Sequence, residues 1–416
     1  MRGHVSNGER FSYREQYSYV VSGFSRTVIS YLFRFRRTVR LKADTTYRPV
    51  RLKADTTYRP VRLKADTTYA AGLVLLLLLP MPAAAPYSAR RNGDVVQLED
   101  TKTQTIVSII PSVGNIAFEM KVKGQNVLRW PFASVEEFKA KPALSGIPFL
   151  GPWANRLDEQ AFYANGRKYA FDMELGNVRG AIPIHGFMTT TDQWRVLEAS
   201  FDNRSAWVTS RLEVFRQPLW MKQFPFAHAI QMTHRLRDGV LEVSTRIENM
   251  SAEPMPVAIG FHPYFQLTDS TRDDWTIAVG ARTQWILAPN KVPTGETRPI
   301  EQFFPDPKAA ALKDYDLDHV FGDLIRDASG RAIMTVRGKQ QKLDVLLGAK
   351  YRAVVIWAPQ PNPATPAVNR NFICFEPMAG ITDALNLAQR GLYRELQSIS
   401  PGQTWQESFW VRPTGF

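Results

Sequence analysis

The sequence has a single cysteine, Cys374, among its 416 residues. One cysteine excludes an intrachain disulfide and a metal site built on several thiolates. We therefore expect Cys374 to be a small buried residue that fills space in the core. Other signatures are also missing: the chain has no H-x-x-E-H or D-x-D-x-D-G spacing, no Walker loop, no G-x-G-x-x-G pattern and no G-x-S-x-G elbow. We therefore expect no metal and no cofactor.

Long helical periodicity is scarce after residue 92, where only Pro307–Tyr315 and Ile381–Arg394 indicate short helical or irregular pieces. The run Val240–Ile247 alternates apolar and polar residues, as a half-buried antiparallel strand does. Many short strands without a βαβ rhythm predict one all-β domain over residues 92–416, an antiparallel β-sandwich. The other predicted strands are Thr105–Ile110, Ile116–Val122, Trp207–Val214, Ala229–Leu236, Pro256–Ile259, Trp275–Val279, Ala332–Val336, Lys342–Leu347, Ala353–Trp357, Phe372–Phe375 and Thr404–Val411.

Acidic residues are fewer than basic ones, and the formal net charge is +13. Residues 1–69 hold 15 Lys and Arg against 5 Asp and Glu, so +10 of this charge lies there. The rest of the chain is close to neutral. We therefore expect no nucleic-acid partner, because that class of protein needs a basic patch on its folded body.

An undiverged repeat of 11 residues occupies the end of the basic segment. Val39–Pro49 recurs from Val50 and again, nearly whole, over Val61–Tyr69. Solenoid repeats are longer and diverge in sequence. We interpret residues 1–69 as a disordered or non-native segment that arises from a translated DNA repeat, with a basic interaction tail as the alternative.

No apolar run is long enough to span a bilayer as a helix; the longest, Leu73–Leu79, falls well short. Basic residues precede it and Ala83–Ala85 follow it, which is typical of a signal peptide over residues 70–85. This predicts a periplasmic or secreted protein. A retained anchor is the alternative, and only then would the membrane be a partner.

Glu376 follows an apolar run that indicates a buried strand, and we expect Pro377 to stop or bend that strand. A buried carboxylate needs a partner or a function. Alternation would place Cys374 on the same face as Glu376. The alternative is a salt-bridged strand end.

Two histidines occur in distinctive settings. His185 precedes Gly186, a residue that allows close approach of another backbone. His262 lies among Phe261, Tyr264 and Phe265, a setting suited to a sugar face. The alternatives are a hydrogen-bonded loop histidine and a core histidine. His228 and His234 lack such settings and are interpreted as structural.

Two further charged residues are candidates for binding oxygen atoms of a substrate. Arg156 follows Asn155, and its fork of donors can clamp sugar or carboxylate oxygens. Its alternative role is a surface ion pair with the nearby Asp158 or Glu159. Asp318 could accept hydrogen bonds from sugar hydroxyls, or it could be a cap or a surface acid.

These segments together resemble the aldose 1-epimerase (mutarotase) family, over about residues 92–412. Each motif alone is weak, but six in the family's order make the resemblance specific. It implies the galactose mutarotase-like supersandwich fold, which agrees with the strand prediction. The matching segments are Ala154–Arg156, Ile184–Phe187, His262–Phe265, Val292–Gly295, Leu317–His319 and Phe375–Pro377.

The resemblance implies a role for each site residue. Glu376 would be the general base on the anomeric hydroxyl and His262 the general acid on the ring oxygen. Arg156, His185 and Asp318, with Asn155, would hold the sugar. Such chemistry needs an acid and a base, which we expect on opposite sides of the substrate.

The implied substrate is a free hexose, such as glucose or galactose, bound by a monomer or homodimer. Phe187 and Gln266 depart from the common sugar mutarotase pattern and favour the hexose-6-phosphate mutarotase-like branch and uncharacterised branches of the family. A phosphate would need basic residues, for which Arg156, Arg179 and Lys222 are candidates, whereas export argues against it. A non-catalytic carbohydrate-binding protein and a polysaccharide-active enzyme would also be compatible with a sandwich of this kind. Trp153, Trp194 and Trp357 are candidates to stack on a sugar.

Overall fold

The computed structural model describes residues 85–416, except residues 363 and 366–368. The predicted segment 1–69 and nearly all of the predicted signal peptide lie outside these residues. Within the described part of the chain, no helix is long and apolar enough to cross a bilayer. The first strand begins at the buried Tyr87, upstream of the predicted boundary at residue 92.

Strands make up most of the described chain. The first half contains β1 (Tyr87–Asn92), β2 (Val95–Asp100), β3 (Thr105–Ile110), β4 (Ile116–Val122), β5 (Gln125–Asn126), β6 (Phe149–Leu150), β7 (Ala161–Ala164), β8 (Arg167–Ala170), β9 (Val178–Arg179), β10 (Ile182–Pro183), β11 (Arg195–Phe201), β12 (Ala206–Glu213), β13 (His228–Arg237) and β14 (Val240–Asn249). The second half contains β15 (Met255–Val257), β16 (Gly260–Phe261), β17 (Tyr264–Phe265), β18 (Thr276–Val279), β19 (Ala281–Leu287), β20 (Pro293–Pro299), β21 (Ala310–Ala311), β22 (Leu317–Leu324), β23 (Ala332–Arg337), β24 (Lys342–Leu347), β25 (Ala353–Ala358), β26 (Ile373–Met378), β27 (Gln397–Ile399) and β28 (Thr404–Thr414).

Helices are short and few among the described residues. The α-helices are α1 (Val135–Ala140), α2 (Pro218–Gln223) and α3 (Ala384–Gln389), and 3₁₀ turns cover Val214–Arg216, Arg272–Asp274, Ile300–Gln302 and Leu312–Asp314. α3 lies inside the predicted piece Ile381–Arg394. The last 3₁₀ turn lies inside Pro307–Tyr315, so both predictions of short irregular or helical pieces are confirmed.

Three larger antiparallel sheets form the body. One has nine strands in the order β11-β12-β13-β14-β28-β24-β23-β18-β21. A second runs β20-β19-β22-β25-β26-β16-β6, with β17 also paired to β26, and a third contains β1 to β5 in order. Pairs β7–β8, β9–β10 and β15–β27 complete the described sheets. The predicted antiparallel sandwich is confirmed.

The core lies between the nine-stranded sheet and the sheet that contains β26. In β14 every second side chain is buried, including Val243 and Ile247. These residues share one apolar cluster with Val354 and Phe375 of the facing sheet. Burial of such side chains contributes about 1.5–3 kcal/mol each. The opposite face of the β26 sheet does not face the nine-stranded sheet, and it carries the candidate site.

The sequence predicts that Pro377 stops or bends its strand. Pro377 does not stop β26, which continues to Met378 with Pro377 opposite Val354 of β25. In the matching segment Val292–Gly295, residues 293–299 form β20, and a turn lies just before them, over residues 288–292.

Candidate functional site

Three neighbouring strands present side chains on the outer face of the β26 sheet. The antiparallel register aligns Asp318 of β22 with Trp357 of β25, and Trp357 with Cys374 of β26. Glu376 lies two residues beyond Cys374, so the two share this face, as the sequence predicted. Cys374 is fully buried in a small cluster with Tyr264 and Phe372, which confirms its role as a buried residue.

Glu376 and His262 are in direct contact. His262 lies between β16 and β17, and its Nε2 atom is 3.2 Å from Glu376 Oε1. The rings of His262 and Tyr264 stack 4.8 Å apart, and Trp357 meets His262 edge to face at 5.5 Å. Pairing of β26 with β16 and β17 brings the expected acid and base onto one wall.

Burial dominates the electrostatics of this pair. It raises the pKa of Glu376 well above its ordinary value, with a further rise from Asp318, while Arg156 acts in the opposite direction. Burial also lowers the pKa of His262 to about 4. Both shifts favour uncharged forms. A protonated Glu376 and an unprotonated His262 are therefore the favoured forms of this pair.

His185 completes a second wall of the site. Its Nδ1 atom accepts a hydrogen bond from the backbone N–H of Asn155 at 3.2 Å, so the neutral ring carries its proton on Nε2. Burial lowers the pKa of His185 well below its ordinary value. The rings of His185 and His262 lie 5.4 Å apart. His185 is therefore a neutral donor beside the His262–Glu376 pair.

The glycine after His185 fits the predicted close approach. Gly186 has a φ of +60°, and a Cβ atom added there would lie 2.0 Å from the carbonyl oxygen of Gly151. Only glycine tolerates both conditions. This contact seats the His185 loop against the segment that leads to Asn155 and Arg156.

Arg156 is held in place by two neighbours. Its Nη1 atom and its backbone N–H both donate to Asn155 Oδ1 at 2.9 Å, and its Nη2 atom donates to Asp318 Oδ2 at 3.2 Å. The predicted alternative, a surface pair with Asp158 or Glu159, is wrong: Arg390 pairs with both of those acids. Asn155 thus orients Arg156 through its oxygen.

Asp383 lies behind Arg156 and was missed by the sequence interpretation. Its backbone N–H donates to the carbonyl of Arg156 at 3.0 Å, and its Oδ1 accepts from Asp158 N–H and Asn386 Nδ2. Burial raises the pKa of Asp383 to about 7. A lone Asp before a short helix gives no sequence signal for such a role, because its contacts with Arg156 and Asp158 join positions far apart in the sequence.

These side chains surround one cavity, which we name the catalytic cavity. Its volume is about 360 Å³, and it is lined by Glu376, His262, His185, Arg156, Asn155 and Asp318 together with Tyr264, Trp357, Asn177 and Arg179. All six residues singled out from the sequence meet here. The volume lies at the small end of ligand sites, which suits a single sugar ring.

The fold places only some of the remaining candidates from the sequence at the cavity. Trp357 is half-buried on the cavity wall, whereas Trp153 and Trp194 are core residues. Arg179 lines the cavity, but Lys222 lies on α2 away from it. His228 and His234 are buried on β13, as structural histidines are. Within the described residues, no group of three or more His, Cys, Asp or Glu has a metal-binding arrangement.

Comparison with known proteins adds independent findings. A family model described as Aldose 1-epimerase matches residues 94–412. A solved galactose mutarotase-like protein from Clostridium acetobutylicum is 21% identical, covers 79% of this chain and 98% of its own length, and has a TM-score of 0.68. At such identity the likeness shows the shared fold.

Two further solved structures have the same fold. Galactose 1-epimerase from Lactobacillus acidophilus NCFM is 15% identical, with a TM-score of 0.61, over 79% of this chain and 98% of that chain. The GalM/aldose epimerase homologue from C. elegans is 17% identical, with a TM-score of 0.58, over 80% and 99% respectively. The supersandwich fold that the sequence implied is confirmed.

Proposed function

The chain belongs to the aldose 1-epimerase family, and on that premise we propose that it is an isomerase that interconverts the α and β anomers of a free hexose. The observation that carries this proposal is the contact between Glu376 Oε1 and His262 Nε2 on the wall of the catalytic cavity. Anomer exchange needs one proton removed from the C1 hydroxyl and one given to the ring oxygen. A paired carboxylate and imidazole supply both.

Ring opening begins from the ion-pair form of the two residues. Glu376 as carboxylate takes the proton of the C1 hydroxyl, and protonated His262 gives its proton to the ring oxygen as the bond from C1 to that oxygen breaks. The products are an open-chain aldehyde, a protonated Glu376 and a neutral His262. The step only moves protons between the sugar and these two residues, so no electron or atom is lost from the site.

Ring closure reverses these transfers after rotation about the C1–C2 bond. The hydroxyl formed from the ring oxygen attacks the other face of C1 and returns its proton to His262, while Glu376 returns a proton to the new C1 hydroxyl. In the ion pair and in the neutral pair alike, Glu376 and His262 together hold one exchangeable proton. Burial favours the neutral arrangement, which corresponds to the open-chain state.

The remaining polar residues of the cavity hold the ring. Arg156 and the Nε2–H of His185 are donors to sugar hydroxyls, and Asp318 is an acceptor. Asn155 acts through Arg156, whose guanidinium it orients. Trp357 offers an apolar face beside these polar groups, a combination typical of sugar sites.

Two different functions on the same sandwich predict different outcomes. A non-catalytic sugar-binding protein would bind hexoses without exchange of anomers. A polysaccharide-active enzyme would cleave glycosidic bonds, whereas the catalytic cavity is of the size for one ring. The buried Glu376–His262 pair favours the epimerase. Burial of an acid and a base costs free energy, and a site that only binds a sugar does not require such a pair.

Polarimetry tests the proposal. The full chain is added to freshly dissolved α-D-glucose or α-D-galactose, and the relaxation of optical rotation is compared with buffer alone. We expect faster relaxation of the optical rotation for at least one sugar. The Glu376→Gln variant, if its thermal stability equals that of the native chain, should give no acceleration. Calorimetric binding of hexoses without acceleration would contradict the epimerase and support the binding protein.

A further inference from the structure

Three rings flank His262 within the described part of the chain, and one of them lies nearly parallel to it. The ring of Tyr264 is inclined by 12° to the His262 ring, with 4.8 Å between the ring centroids. His185 and Trp357 stand nearly perpendicular to His262, at interplanar angles of 78° and 81°. The face of Tyr264 therefore lies over the imidazole of His262.

We propose that the face of Tyr264 stabilises His262 in its protonated form, so that Tyr264 is a positioning residue for the general acid of the reaction. This inference rests on the proposed function, in which ring opening begins with a protonated His262. The face of an aromatic ring carries partial negative charge and attracts a cation that lies within about 6 Å of the ring centroid. The stack at 4.8 Å places the imidazolium within that range.

Backbone hydrogen bonds fix the two rings relative to each other. The N–H of His262 donates to Pro148 O at 3.0 Å, and the N–H of Tyr264 donates to Gly146 O at 2.8 Å. Pro263 lies between the two ring residues and restricts the backbone further, because its own ring fixes φ. The fold therefore holds the two rings in the stack.

Tyr264 keeps a neutral ring. Burial raises the pKa of its phenol well above the ordinary value, with further rises from Cys374 and Glu376, while Arg129 acts in the opposite direction. A neutral phenol already has the electron-rich face that attracts a cation. The attraction between this face and a protonated His262 is therefore present through neutral pH.

Titratable groups face His262 from several elements of the fold. Glu376 of β26 is in contact with it, and His185 faces it as a neutral ring. Asp318 of β22 favours the protonated imidazole, whereas Arg156 opposes it. The charges of Asp318 and Arg156 thus act in opposite directions, and the Glu376 carboxylate is itself consumed as the base of the reaction.

Burial is the main obstacle to a protonated His262, and it lowers the pKa of this residue to about 4. Tyr264 is buried as well, at 4% exposure against 5% for His262, so the stack lies out of contact with bulk water. Attraction between a cation and an aromatic face is stronger where water is excluded. The Tyr264 face therefore offsets part of the cost of burial without adding a charge to the site.

Phe372 provides a matched control for Tyr264. Its ring packs against Tyr264 at 5.5 Å and against Trp357 at 5.1 Å, and it is buried in the same small cluster. Phe372 does not line the catalytic cavity, and its ring makes no pair with His262 among the described residues. A change in the electrons of the Phe372 ring therefore alters the cluster without acting directly on the imidazolium.

The test changes the charge on the ring face while it keeps the shape of the ring. Tyr264 is replaced by phenylalanine and then by phenylalanines with an increasing number of ring fluorine atoms, which withdraw electrons from the face. Polarimetry follows anomer exchange of glucose and galactose by the full chain at neutral pH. We expect Tyr264→Phe to keep kcat within about threefold of the native value, and added fluorine to lower kcat progressively, by about 5- to 30-fold in all. KM should change less than kcat.

The controls separate the ring face from packing and from the hydroxyl. The same fluorinated series at Phe372 should leave kcat unchanged, and Tyr264→Leu should lower kcat at least as much as the most fluorinated ring. A flat series at position 264, or an equal fall at position 372, would overturn the inference. A large loss already in Tyr264→Phe would also overturn it, because the hydroxyl would then be the acting group.

A titration of His262 distinguishes failure of this inference from failure of the proposed function. NMR of the full chain with isotope-labelled histidine gives the pKa of His262 in the native protein, in Tyr264→Leu and in Phe372→Leu. We expect Tyr264→Leu to lower this pKa by about one relative to Phe372→Leu, because the protonated ring loses the aromatic face. Such a fall in a chain that exchanges no anomers supports the inference and contradicts the proposed function. Equal pKa values overturn the inference and leave the proposed function standing.

Discussion

His262 Nε2 lies 3.2 Å from Glu376 Oε1, so the two groups assigned to the chemistry are in direct contact. A proton that leaves one can be held by the other, and neither side chain titrates independently. Burial of Glu376 and His262 disfavours the charged form of each side chain. In the proposed mechanism, the pair is active only when it holds a single proton.

This coupling predicts the dependence of kcat on pH. Below pH of about 4 the pair takes up a second proton, because burial lowers the pKa of His262 to about 4; no base remains, so activity falls. At high pH the shared proton is lost and no acid remains. That loss occurs well above the ordinary pKa of a carboxyl, because burial raises the pKa of Glu376.

Rates of anomer exchange from acid to alkaline pH, corrected for the uncatalysed reaction, test this profile. We expect a plateau through neutral pH. A fall of activity on the acid side with a midpoint near the ordinary histidine value of about 6.5 would contradict it.

Arg156→Lys is predicted to weaken sugar binding more than catalysis. Arginine contacts Asn155 with Nη1 and Asp318 with Nη2, and lysine cannot reproduce that fork. We expect KM to rise about tenfold, as for the loss of roughly one hydrogen bond to a charged group, with a smaller change in kcat.

A matched control for this substitution lies on the other large sheet. Arg412 of β28 donates to Asp344 through Nε at 3.2 Å and Nη2 at 2.9 Å. Arg412→Lys should leave KM unchanged. A larger fall in kcat than rise in KM for Arg156→Lys would instead assign Arg156 to stabilisation of the transition state.

Gly186→Ala is predicted to destabilise the fold by about 3 kcal/mol, from overpacking and left-handed backbone combined. The new Cβ would lie 2.0 Å from Gly151 O at a φ of +60°. Gly166→Ala is the control, because Gly166 has a φ of +74° but open space around it. It should cost only about 1 kcal/mol. Equal losses in chemical denaturation would contradict the close approach at Gly186.

Asp383→Asn is predicted to change how stability depends on pH. Burial raises the pKa of Asp383 from 3.8 to about 7, so between these values the folded chain holds a proton that the unfolded chain releases. The stability contributed by that proton is therefore complete below the unfolded pKa of 3.8 and is lost as pH rises to about 7. Asparagine is neutral throughout and suits the left-handed φ of 58° at this position.

The measurement is the free energy of unfolding of both proteins at a pH of about 4 and a pH of about 8, on either side of this window. Relative to the native chain, Asp383→Asn should gain up to about 4 kcal/mol between these values. Asp306→Asn, at an exposed turn, should show no such trend. A constant difference between Asp383→Asn and the native chain would contradict the account of this buried carboxyl.

The strands were predictable where alternation and turn residues are strong. Thr105–Ile110, Ile116–Val122 and Lys342–Leu347 were predicted with the bounds that the structure gives. β11 was missed because its side chains are mostly exposed and carry no apolar pattern. The path of β26 through Pro377 was missed because a proline usually ends a central strand, and only the register with β25 shows that it is tolerated.

The membership of the site was predictable, but its geometry was not. Six motifs in order identified Glu376, His262 and Arg156 as residues of one cavity. The sequence could not show that the first two are in contact, because strand register between β26 and its neighbours decides that. Asp383 carried no motif, since its neighbours in space are distant in sequence.

The central claim is that Glu376 and His262 act as one proton-exchanging unit, and a double-variant cycle by polarimetry with α-D-glucose tests it most directly. We predict that Glu376→Gln and His262→Asn each lower kcat about 10²- to 10⁴-fold, and that the double variant is no slower than the worse single variant. Rate losses that multiply in the double variant would contradict the claim, because they would show two groups that act independently.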